Sequence, residues 1–232
     1  MNPPDQPAAL NPSQLGTKTY WDLTYSTELE NHASDPSDTG TNWFSDSCAQ
    51  EKILAYLSST HLALPKETTR FLDLGSGNGE MLFALREEAG FAGEMMGVDY
   101  SGRSVELARR VAEGKGVGKE VGFRVWDVLD EGGGEGLGLG EWDVVLDKGT
   151  FDAVSLSGVP GVEDRYVRRV GTLVVKGGLV LVTSCNWTEG EVRSWFESGG
   201  ELEYHGRVVY PTFRFGGATG QSISSVCFKR RV

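Results

Sequence analysis

The sequence is poor in residues that bind metals or build disulfide frameworks. It has three cysteines, Cys48, Cys185 and Cys227, and three histidines among its 232 residues. No two cysteines have the C-x-x-C spacing of a zinc site, so we expect no metal centre and a reducing, intracellular environment. A chain of this length buries roughly 70% of its extended surface on folding. It therefore needs neither a disulfide nor a metal to hold its core.

Long hydrophobic runs and excess positive charge are also missing. The most apolar stretch, residues 173–182, contains Lys176-Gly177-Gly178 and is shorter than the roughly 20 residues that span a bilayer. The N-terminus is polar and proline-rich, unlike a secretory signal. The net charge of −11 argues against nucleic acid or an anionic membrane as the main partner. A basic protein partner is compatible with that charge.

Composition divides the chain into three segments. Residues 1–15 are predicted to form a disordered tail, because they cannot bury enough apolar surface to offset the entropy of ordering. Residues 16–60 predict an aromatic flap, with helices at about 20–30 and 47–60. Residues 61–232 are predicted to form the main domain.

From residue 70 onward, apolar runs alternate with helical patterns. The predicted strands are 70–74, 94–99, 121–126, 142–146 and 178–183, and the predicted helices are 80–90, 101–114, 160–175 and 188–198. This alternation indicates βαβ units and a parallel sheet with helices on both faces. Residues 207–215 and 222–229 predict a C-terminal antiparallel hairpin. The expected fold is α/β and Rossmann-like with seven strands, and the glycine-rich stretch 132–140 is interpreted as a surface loop.

A glycine-rich segment follows the first predicted strand. In Asp73-Leu-Gly-Ser-Gly-Asn-Gly79, Gly75 and Gly77 allow a tight turn and close approach of the backbone to a ligand. Asp99 ends the next strand, 20 residues after Gly79, where a carboxylate accepts hydrogen bonds from both ribose hydroxyls. An adenosine-containing cofactor is therefore expected at this edge of the sheet.

Charge and spacing favour one such cofactor. No glycine completes a G-x-G-x-x-G dinucleotide loop here, and the segment has no P-loop lysine. The carboxylate of Asp73 would repel a pyrophosphate, but it would attract an ammonium or a sulfonium group. S-adenosylmethionine carries both cations and no phosphate, so we expect it rather than a nicotinamide dinucleotide.

Several further motifs resemble those of one enzyme family. They are DLGSGNG (73–79), GVDYS (97–101), WDV (126–128), LDKGTFDAVSL (146–156), VTSCNWT (182–188) and FRFGGATGQSISSVCF (213–228). Together they resemble the class I, seven-β-strand methyltransferases, and more narrowly the eukaryotic protein-lysine methyltransferases that act on translation elongation factor 1-alpha. The resemblance covers residues 15–230. It implies the seven-stranded methyltransferase fold, S-adenosylmethionine as cofactor and a protein substrate. We further expect a monomer, located in the cytoplasm and also in the nucleus.

The resemblance also implies roles for individual positions. The cofactor-binding residues would be Trp43, Asp73, Gly75, Gly77, Asn78, Asp99, Tyr100, Asp127, Val128 and Asp147. The catalytic group would be Asp147, which orients the lysine amine, with Phe151 and Trp187 as aromatic walls. Trp21 and Trp43 would close over the site. Asp152 is interpreted as structural, and Lys148 as the partner of Asp147 in a surface ion pair.

Other functions stay open on the sequence alone. One is a methyltransferase for a small amine or carboxylate, which would need a closed lid over its pocket. Another is a non-catalytic adaptor that keeps the fold, although such a chain would often have lost Asp99 or the glycines. A nicotinamide oxidoreductase is disfavoured by the loop spacing. The sequence does not indicate which lysine is modified or how many methyl groups are added.

Overall fold

A computed structural model describes residues 6–130, 140–211, 213–215, 218–220 and 222–232. The predicted surface loop 132–140 lies outside these residues except for Gly140, and so do residues 1–5 of the predicted tail. The division into tail, flap and main domain stays a prediction.

The described strands form one large mixed sheet and a small ribbon. Their bounds are β1 Phe71–Leu74, β2 Met95–Asp99, β3 Val121–Val125, β4 Trp142–Lys148, β5 Val174–Ser184, β6 Leu202–Val208, β7 Phe213–Phe215, β8 Ala218–Gly220 and β9 Ser224–Arg230. Within the described ranges, seven strands make the sheet in the order β3-β2-β1-β4-β5-β9-β6. The first five in sequence are parallel, and β9 runs antiparallel to both β5 and β6. The predicted fold class is confirmed.

The C-terminal hairpin is displaced from its predicted position. Its strands are β6 and β9, so the first strand begins five residues before the predicted start at residue 207 and ends at Val208. Pro211 follows shortly and cannot donate a ladder hydrogen bond, which explains why β6 does not continue to residue 215. Residues 213–215 pair instead with β8 in the separate ribbon.

Helices cover both faces of the large sheet. Their bounds are α1 Lys18–Ser34, α2 Ala49–Leu57, α3 Glu80–Glu87, α4 Gly102–Lys115, α5 Thr150–Ser155, α6 Val162–Leu173 and α7 Glu189–Glu197. The first four helices bury their apolar residues in one core, and the last three bury theirs in a second core on the opposite face. The sequence patterns missed α5, which is a helix of six residues. In the described part of the chain, no helix is long and apolar enough to cross a membrane.

The N-terminal segment lies across the carboxyl edge of the parallel strands. Thr17 caps α1 by accepting a hydrogen bond from the Tyr20 backbone N–H at 3.3 Å. Asp22 on α1 accepts a hydrogen bond from the Ser101 hydroxyl at 2.6 Å, which ties the helix to the end of β2. Upstream, the Ser13 N–H donates to the Leu156 carbonyl at 3.0 Å. These contacts place α1 and the residues before it over the edge where the sequence predicts the site.

Candidate active site

A cavity of about 230 Å³ opens at the carboxyl ends of β1, β2 and β4. Its wall comes from five parts of the chain. These are the N-terminal segment (Leu15, Gly16, Trp21, Tyr25, Trp43, Phe44), the glycine loop (Gly75), the end of β2 (Val98, Asp99, Tyr100), the residues after β3 (Trp126, Asp127, Val128, Leu129) and the β4–α5 region with its neighbours (Lys148, Gly149, Thr150, Asp152, Ala153, Val154, Leu156, Ser157, Cys185). Such a crevice at strand ends is the usual ligand site of an open α/β sheet.

Two glycines of the loop have a left-handed backbone conformation, which residues with a side chain seldom adopt. Gly75 has φ +63° and Gly77 has φ +57°, both in the left-handed region. A Cβ at Gly75 would lie 2.1 Å from the Thr150 hydroxyl oxygen. That hydroxyl is held in place by donating to the Leu74 carbonyl at 2.6 Å, so no room is left for a side chain at Gly75. The loop therefore presents bare backbone to the cavity.

Asp99 is held at the end of β2 by backbone donors. Its Oδ1 accepts from the Ser101 N–H at 2.9 Å, and its Oδ2 accepts from the Gly77 N–H at 3.2 Å. Burial raises the pKa of this carboxyl, while these hydrogen bonds lower it. Because Asp99 also lines the cavity, its remaining lone pairs are available to hydroxyl donors there.

Asp73 lies behind the cavity wall as a second buried carboxylate. Burial raises its pKa to about 7, the positive charge of Lys148 lowers it, and the charges of Asp147 and Asp99 raise it further. Asp73 belongs to β1, Gly77 and Asn78 belong to the glycine loop, and none of these three predicted cofactor residues lines the cavity. The Asn78 amide instead donates to the carbonyls of Thr39 and Thr41, at 2.9 and 3.3 Å.

Two indole N–H groups at the cavity lack partners. Trp43 and Trp126 both line it, and within the described residues neither Nε1 atom finds a hydrogen-bond acceptor. Both Nε1 atoms are buried, so the faces and edges of the two rings, and not their N–H groups, form the cavity wall at these positions. Next to Trp126, the predicted residues Asp127 and Val128 also lie on the wall, and Asp127 accepts from the Leu129 N–H at 2.9 Å.

The structure does not bring the three predicted catalytic residues to the cavity. Asp147 is buried, and its carboxylate accepts from the backbone N–H groups of Thr150 and Phe151 and, at 2.7 Å, from the Tyr166 hydroxyl. Phe151 is fully buried and stacks on Tyr166 with ring centroids 5.7 Å apart. Trp187 is 4% exposed and packs beside Phe151. Phe151 and Trp187 belong to the second core, and Asp147 is bonded to the first turn of α5 and to Tyr166 on α6.

Asp152 is the carboxylate that faces the cavity instead. It lies one helical turn after Asp147, and the sequence interpretation treated it as structural. Its Oδ1 accepts from the Ser184 hydroxyl at 2.5 Å, and its Oδ2 accepts from the Cys185 N–H at 2.9 Å. Burial raises the pKa of this group above its ordinary value. Asp152 is therefore a second firmly held carboxylate on the wall that Asp99 also lines.

Tyr25, Phe44 and Trp126 are cavity residues that the sequence analysis did not assign. Simple signals point to each of them. Tyr25 follows Trp21 by four residues and therefore shares its helix face, and their rings stack with centroids 6.1 Å apart. Phe44 adjoins Trp43, and Trp126 adjoins Asp127. The described part of the chain has no group of three or more side chains able to hold a metal ion.

Comparison with known proteins identifies the family of the chain. The methyltransferase domain family matches residues 65–217. Protein-lysine N-methyltransferase EFM4 of Saccharomyces cerevisiae is 42% identical, with 97% of this chain and 98% of the yeast protein covered. EEF1A lysine methyltransferase 2 of Danio rerio is 34% identical, covering 94% and 89%.

A solved structure shares the fold. Magnesium protoporphyrin IX methyltransferase from Synechocystis PCC 6803, with bound S-adenosylmethionine, superposes with a TM-score of 0.60 at 15% identity and covers 97% of this chain and 100% of that one. At this identity the likeness concerns the fold alone. The resemblance seen in the sequence motifs is confirmed by the two closer relatives. This chain belongs to the methyltransferase superfamily and, within it, to the protein-lysine N-methyltransferases represented by EFM4 and EEF1A lysine methyltransferase 2.

Proposed function

We propose that this chain transfers a methyl group from S-adenosylmethionine to a lysine of translation elongation factor 1-alpha. The observation that carries the proposal is the cavity at the strand ends, which has a bare glycine backbone and the carboxylate of Asp99 on its wall. Relatives that match nearly the whole chain are named for lysine methylation, and those of Danio rerio and Homo sapiens are named EEF1A lysine methyltransferase 2. We further propose a monomer that acts in the cytoplasm and nucleus.

The residues present fit the proposed cofactor. Asp99 offers acceptors for the ribose hydroxyls, and the loop around Gly75 leaves room for a closely approaching chain. The rings of Trp43 and Trp126 add aromatic, apolar surface to the same cavity. Asp73 places a carboxylate behind the loop, where it favours a positively charged ligand. When bound, the cofactor supplies a methyl group on a sulfonium, which is already activated for displacement.

The protein must then deliver a neutral amine. A free lysine has a pKa of about 10.4, so nearly all of it is protonated at neutral pH. Transfer from water into a cavity lined by Trp43 and Phe44 disfavours the ammonium and lowers that pKa. Asp152 is in place to accept a hydrogen bond from the amine and orient its lone pair. Positioning of this kind provides most of the rate enhancement that we propose.

Asp147 has a different proposed role, as the organiser of the cavity floor. Its carboxylate accepts from two N–H groups at the start of α5 and from the hydroxyl of Tyr166 on α6. It thereby fixes the first turn of α5, on which Asp152 lies. We therefore propose Asp152, rather than Asp147, as the residue that meets the amine.

One observation favours a second candidate, a small-molecule methyltransferase. The cavity is covered by the chain's own Trp21, Tyr25 and Trp43, as expected for a lid over a small substrate. The full-length match to protein-lysine methyltransferases supports the protein substrate more strongly.

Methylation of the purified elongation factor tests the proposal. The factor is taken from cells that lack this chain and incubated with the enzyme and tritiated S-adenosylmethionine. Label on a single lysine, located by mass spectrometry, is the expected result. Cofactor binding without label on the factor would contradict the substrate, whereas absence of cofactor binding would contradict the methyltransferase activity itself.

A further inference from the structure

Lys148 joins the sheet edge to the aromatic segment that covers the cavity. It is the last residue of β4, and its Nζ donates to the carbonyl of Trp43 at 3.0 Å. The same Nζ lies 5.7 Å from the centroid of the Phe44 ring, within reach of a cation–π contact. The sequence interpretation placed Lys148 in a surface ion pair with Asp147, but Asp147 is occupied by Thr150, Phe151 and Tyr166 instead.

A lysine on the wall of this cavity is unexpected on grounds of charge. A methyltransferase cavity that receives a sulfonium and an amine gains nothing from an additional cation on its wall. Desolvation lowers the pKa of Lys148, and the negative charges of Asp73 and Glu80 raise it. The buried carboxylate of Asp73 thus favours the charged form of the lysine, and Lys148 in turn favours the charged form of Asp73.

The segment that Lys148 contacts is held in a strained conformation. Phe44 has φ +66° and Cys48 has φ +49°, a region that residues other than glycine seldom adopt. The Phe44 carbonyl accepts from the N–H groups of Ser47 and Ala49, which closes the turn. Such a turn persists only when its surroundings fix it, and Lys148 supplies a hydrogen bond immediately before the strained residue.

Gly149, the residue after Lys148, allows the end of β4 to pack closely against the Trp43–Phe44 segment. Gly149 has φ +90°, and a Cβ there would lie 3.1 Å from the Phe44 ring. The absence of a side chain at Gly149 lets the ring lie against the backbone that follows Lys148. The hydrogen bond, the ring contact and this close approach all hold Trp43 and Phe44 on the cavity wall.

We propose that Lys148 is a positioning residue, which fastens the Trp43–Phe44 segment over the cavity and so sets the aromatic wall against which the substrate lysine is oriented. Asp73, on the neighbouring strand β1, carries the charge opposite to that of Lys148 and attracts it. The kinetic consequence rests on the proposed function, whereas the order of the segment does not.

Replacement of Lys148 by methionine tests the proposal, because methionine keeps the apolar stem and removes the donor and the charge. Amide hydrogen exchange is measured over residues 41–48, where the N–H groups of Ser47 and Cys48 report on the turn. We expect at least tenfold faster exchange there in Lys148→Met, with exchange in β1 and β4 unchanged. We also expect kcat for the protein substrate to fall at least tenfold.

Lys66 offers a matched control. Its Nζ donates to the Ala89 carbonyl at 2.8 Å and lies 3.6 Å from the Phe91 ring centroid, so it makes the same kinds of contact away from the cavity. Lys66→Met is expected to leave exchange in residues 41–48 and kcat unchanged. A double-mutant cycle with Phe44→Leu adds a readout that general destabilisation would not move. The effects of Lys148→Met and Phe44→Leu on kcat should be less than additive, because both act through one wall.

The outcomes test separately whether Lys148 orders the Trp43–Phe44 segment and whether that order affects methyl transfer. Unchanged exchange over residues 41–48 in Lys148→Met would overturn the positioning role, whatever the enzyme's substrate. Faster exchange with unchanged kcat would overturn the link between the segment and methyl transfer. Fully additive effects in the cycle would likewise overturn action through Phe44. If the unmutated chain methylates no protein, the proposed function fails, while the exchange comparison still decides the role of Lys148.

Discussion

At the scale of single residues, the carboxylates around the cavity differ in what holds them. Asp99 is fixed by two backbone N–H donors and still lines the cavity, whereas the carboxylate of Asp147 is engaged by Thr150, Phe151 and Tyr166. Asp152 combines both properties: it accepts from the Ser184 hydroxyl and from the N–H and thiol of Cys185, and it also lines the cavity. The three residues are all aspartates that follow or flank a strand end, so the sequence does not show which of them reaches the cavity. The hydrogen-bond partners of each carboxylate oxygen show it.

Asp99→Ala is expected to weaken binding of S-adenosylmethionine about 100-fold. The variant removes acceptors for two hydroxyl donors, and hydrogen bonds to a charged group contribute roughly 1.5–3 kcal/mol each. Isothermal titration calorimetry measures the affinity. Asp143→Asn is the control, because that carboxylate pairs with Arg70 at the start of β4, away from the cavity. An unchanged affinity in Asp99→Ala would contradict the ribose-binding role.

Asp147→Asn is expected mainly to lower stability, whereas Asp152→Asn is expected mainly to lower kcat. Asp147→Asn places an amide donor against the donors of Thr150, Phe151 and Tyr166, and unsatisfied buried groups cost roughly 1–3 kcal/mol each. Its main effect should be a lower free energy of unfolding. Asp152→Asn should lower kcat about tenfold or more, with a smaller loss of stability. Urea unfolding and initial rates measure the two effects, and the reverse pattern would restore Asp147 as the residue that meets the amine.

The buried carboxyl of Asp73 should make stability depend on pH. Burial raises its pKa from the ordinary 3.8 to about 7, with Lys148 acting against that shift and Asp147 and Asp99 adding to it. The folded state then binds this proton more tightly than the unfolded state. The stability that this group contributes is therefore present below the ordinary pKa and is lost as the pH rises through about 7.

Asp73→Asn is accordingly expected to stabilise the cofactor-free protein relative to the unmutated chain more at pH 8 than at pH 5. Thermal unfolding at both values measures the difference, with Asp143→Asn as the control because that carboxylate is only half-buried and lies away from the cavity. A stability difference that does not change between the two pH values would show that Asp73 does not titrate in this range.

At the scale of elements, the sequence was most informative where the pattern is local. The strands β1 to β4 are short apolar runs that end at aspartate or are soon followed by glycine or aspartate, and the structure confirms them close to their predicted bounds. The strand β5 begins at Val174, four residues before its predicted start at residue 178. The six-residue α5 was missed because it is too short to show a helical period. The start of β6 at Leu202 was also missed, because Glu203 and His205 give the strand a polar, half-exposed pattern.

The glycine loop and α1 form one unit, and Gly77→Ala tests it. A Cβ at Gly77 would lie 2.7 Å from the Tyr25 hydroxyl, at φ +57°. We expect a loss of roughly 1–2 kcal/mol in the free energy of unfolding, because the left-handed backbone is unfavourable for alanine and α1 must shift. Cofactor affinity should fall together with stability.

Gly190→Ala is the matched control for that substitution. Gly190 lies in α7, and an added Cβ there would meet open space. Alanine favours the helix, so a gain of about 0.5–1 kcal/mol is expected. If Gly77→Ala is as well tolerated as Gly190→Ala, α1 does not lie against the loop as described.

At the scale of the whole molecule, the cavity is assembled from residues far apart in sequence. The bond from Lys148 to Trp43 joins positions separated by 105 residues, and no local pattern predicts it. The sequence identified the glycine loop and Asp99 because both follow from the strand order of a parallel sheet. It could not show that Phe151 and Trp187 face a core rather than the cavity, since that depends on how α5 and α7 pack together.

Net charge is a further property of the whole chain, and it bears on substrate association. The molecule carries 33 acidic against 22 basic residues, so a basic protein partner is attracted over a long range. Asp46 is exposed on the strained turn beside Phe44 and acts on Cys185 at the cavity, which places one of these charges near the mouth. Screening shortens the range from about 10 Å at 0.1 M salt to about 3 Å at 1 M.

The KM for the protein substrate should therefore rise about tenfold between 0.05 and 0.5 M sodium chloride, while cofactor affinity in the covered cavity changes much less. Asp46→Lys should raise KM at low salt and flatten its salt dependence. Glu94→Lys makes the same charge change on an exposed residue at the opposite edge of the sheet, so its effect should be smaller. Initial rates across the salt series measure all three proteins. A KM that does not depend on salt, or equal effects of the two substitutions, would mean that the substrate is recognised by contacts other than the acidic surface around the cavity.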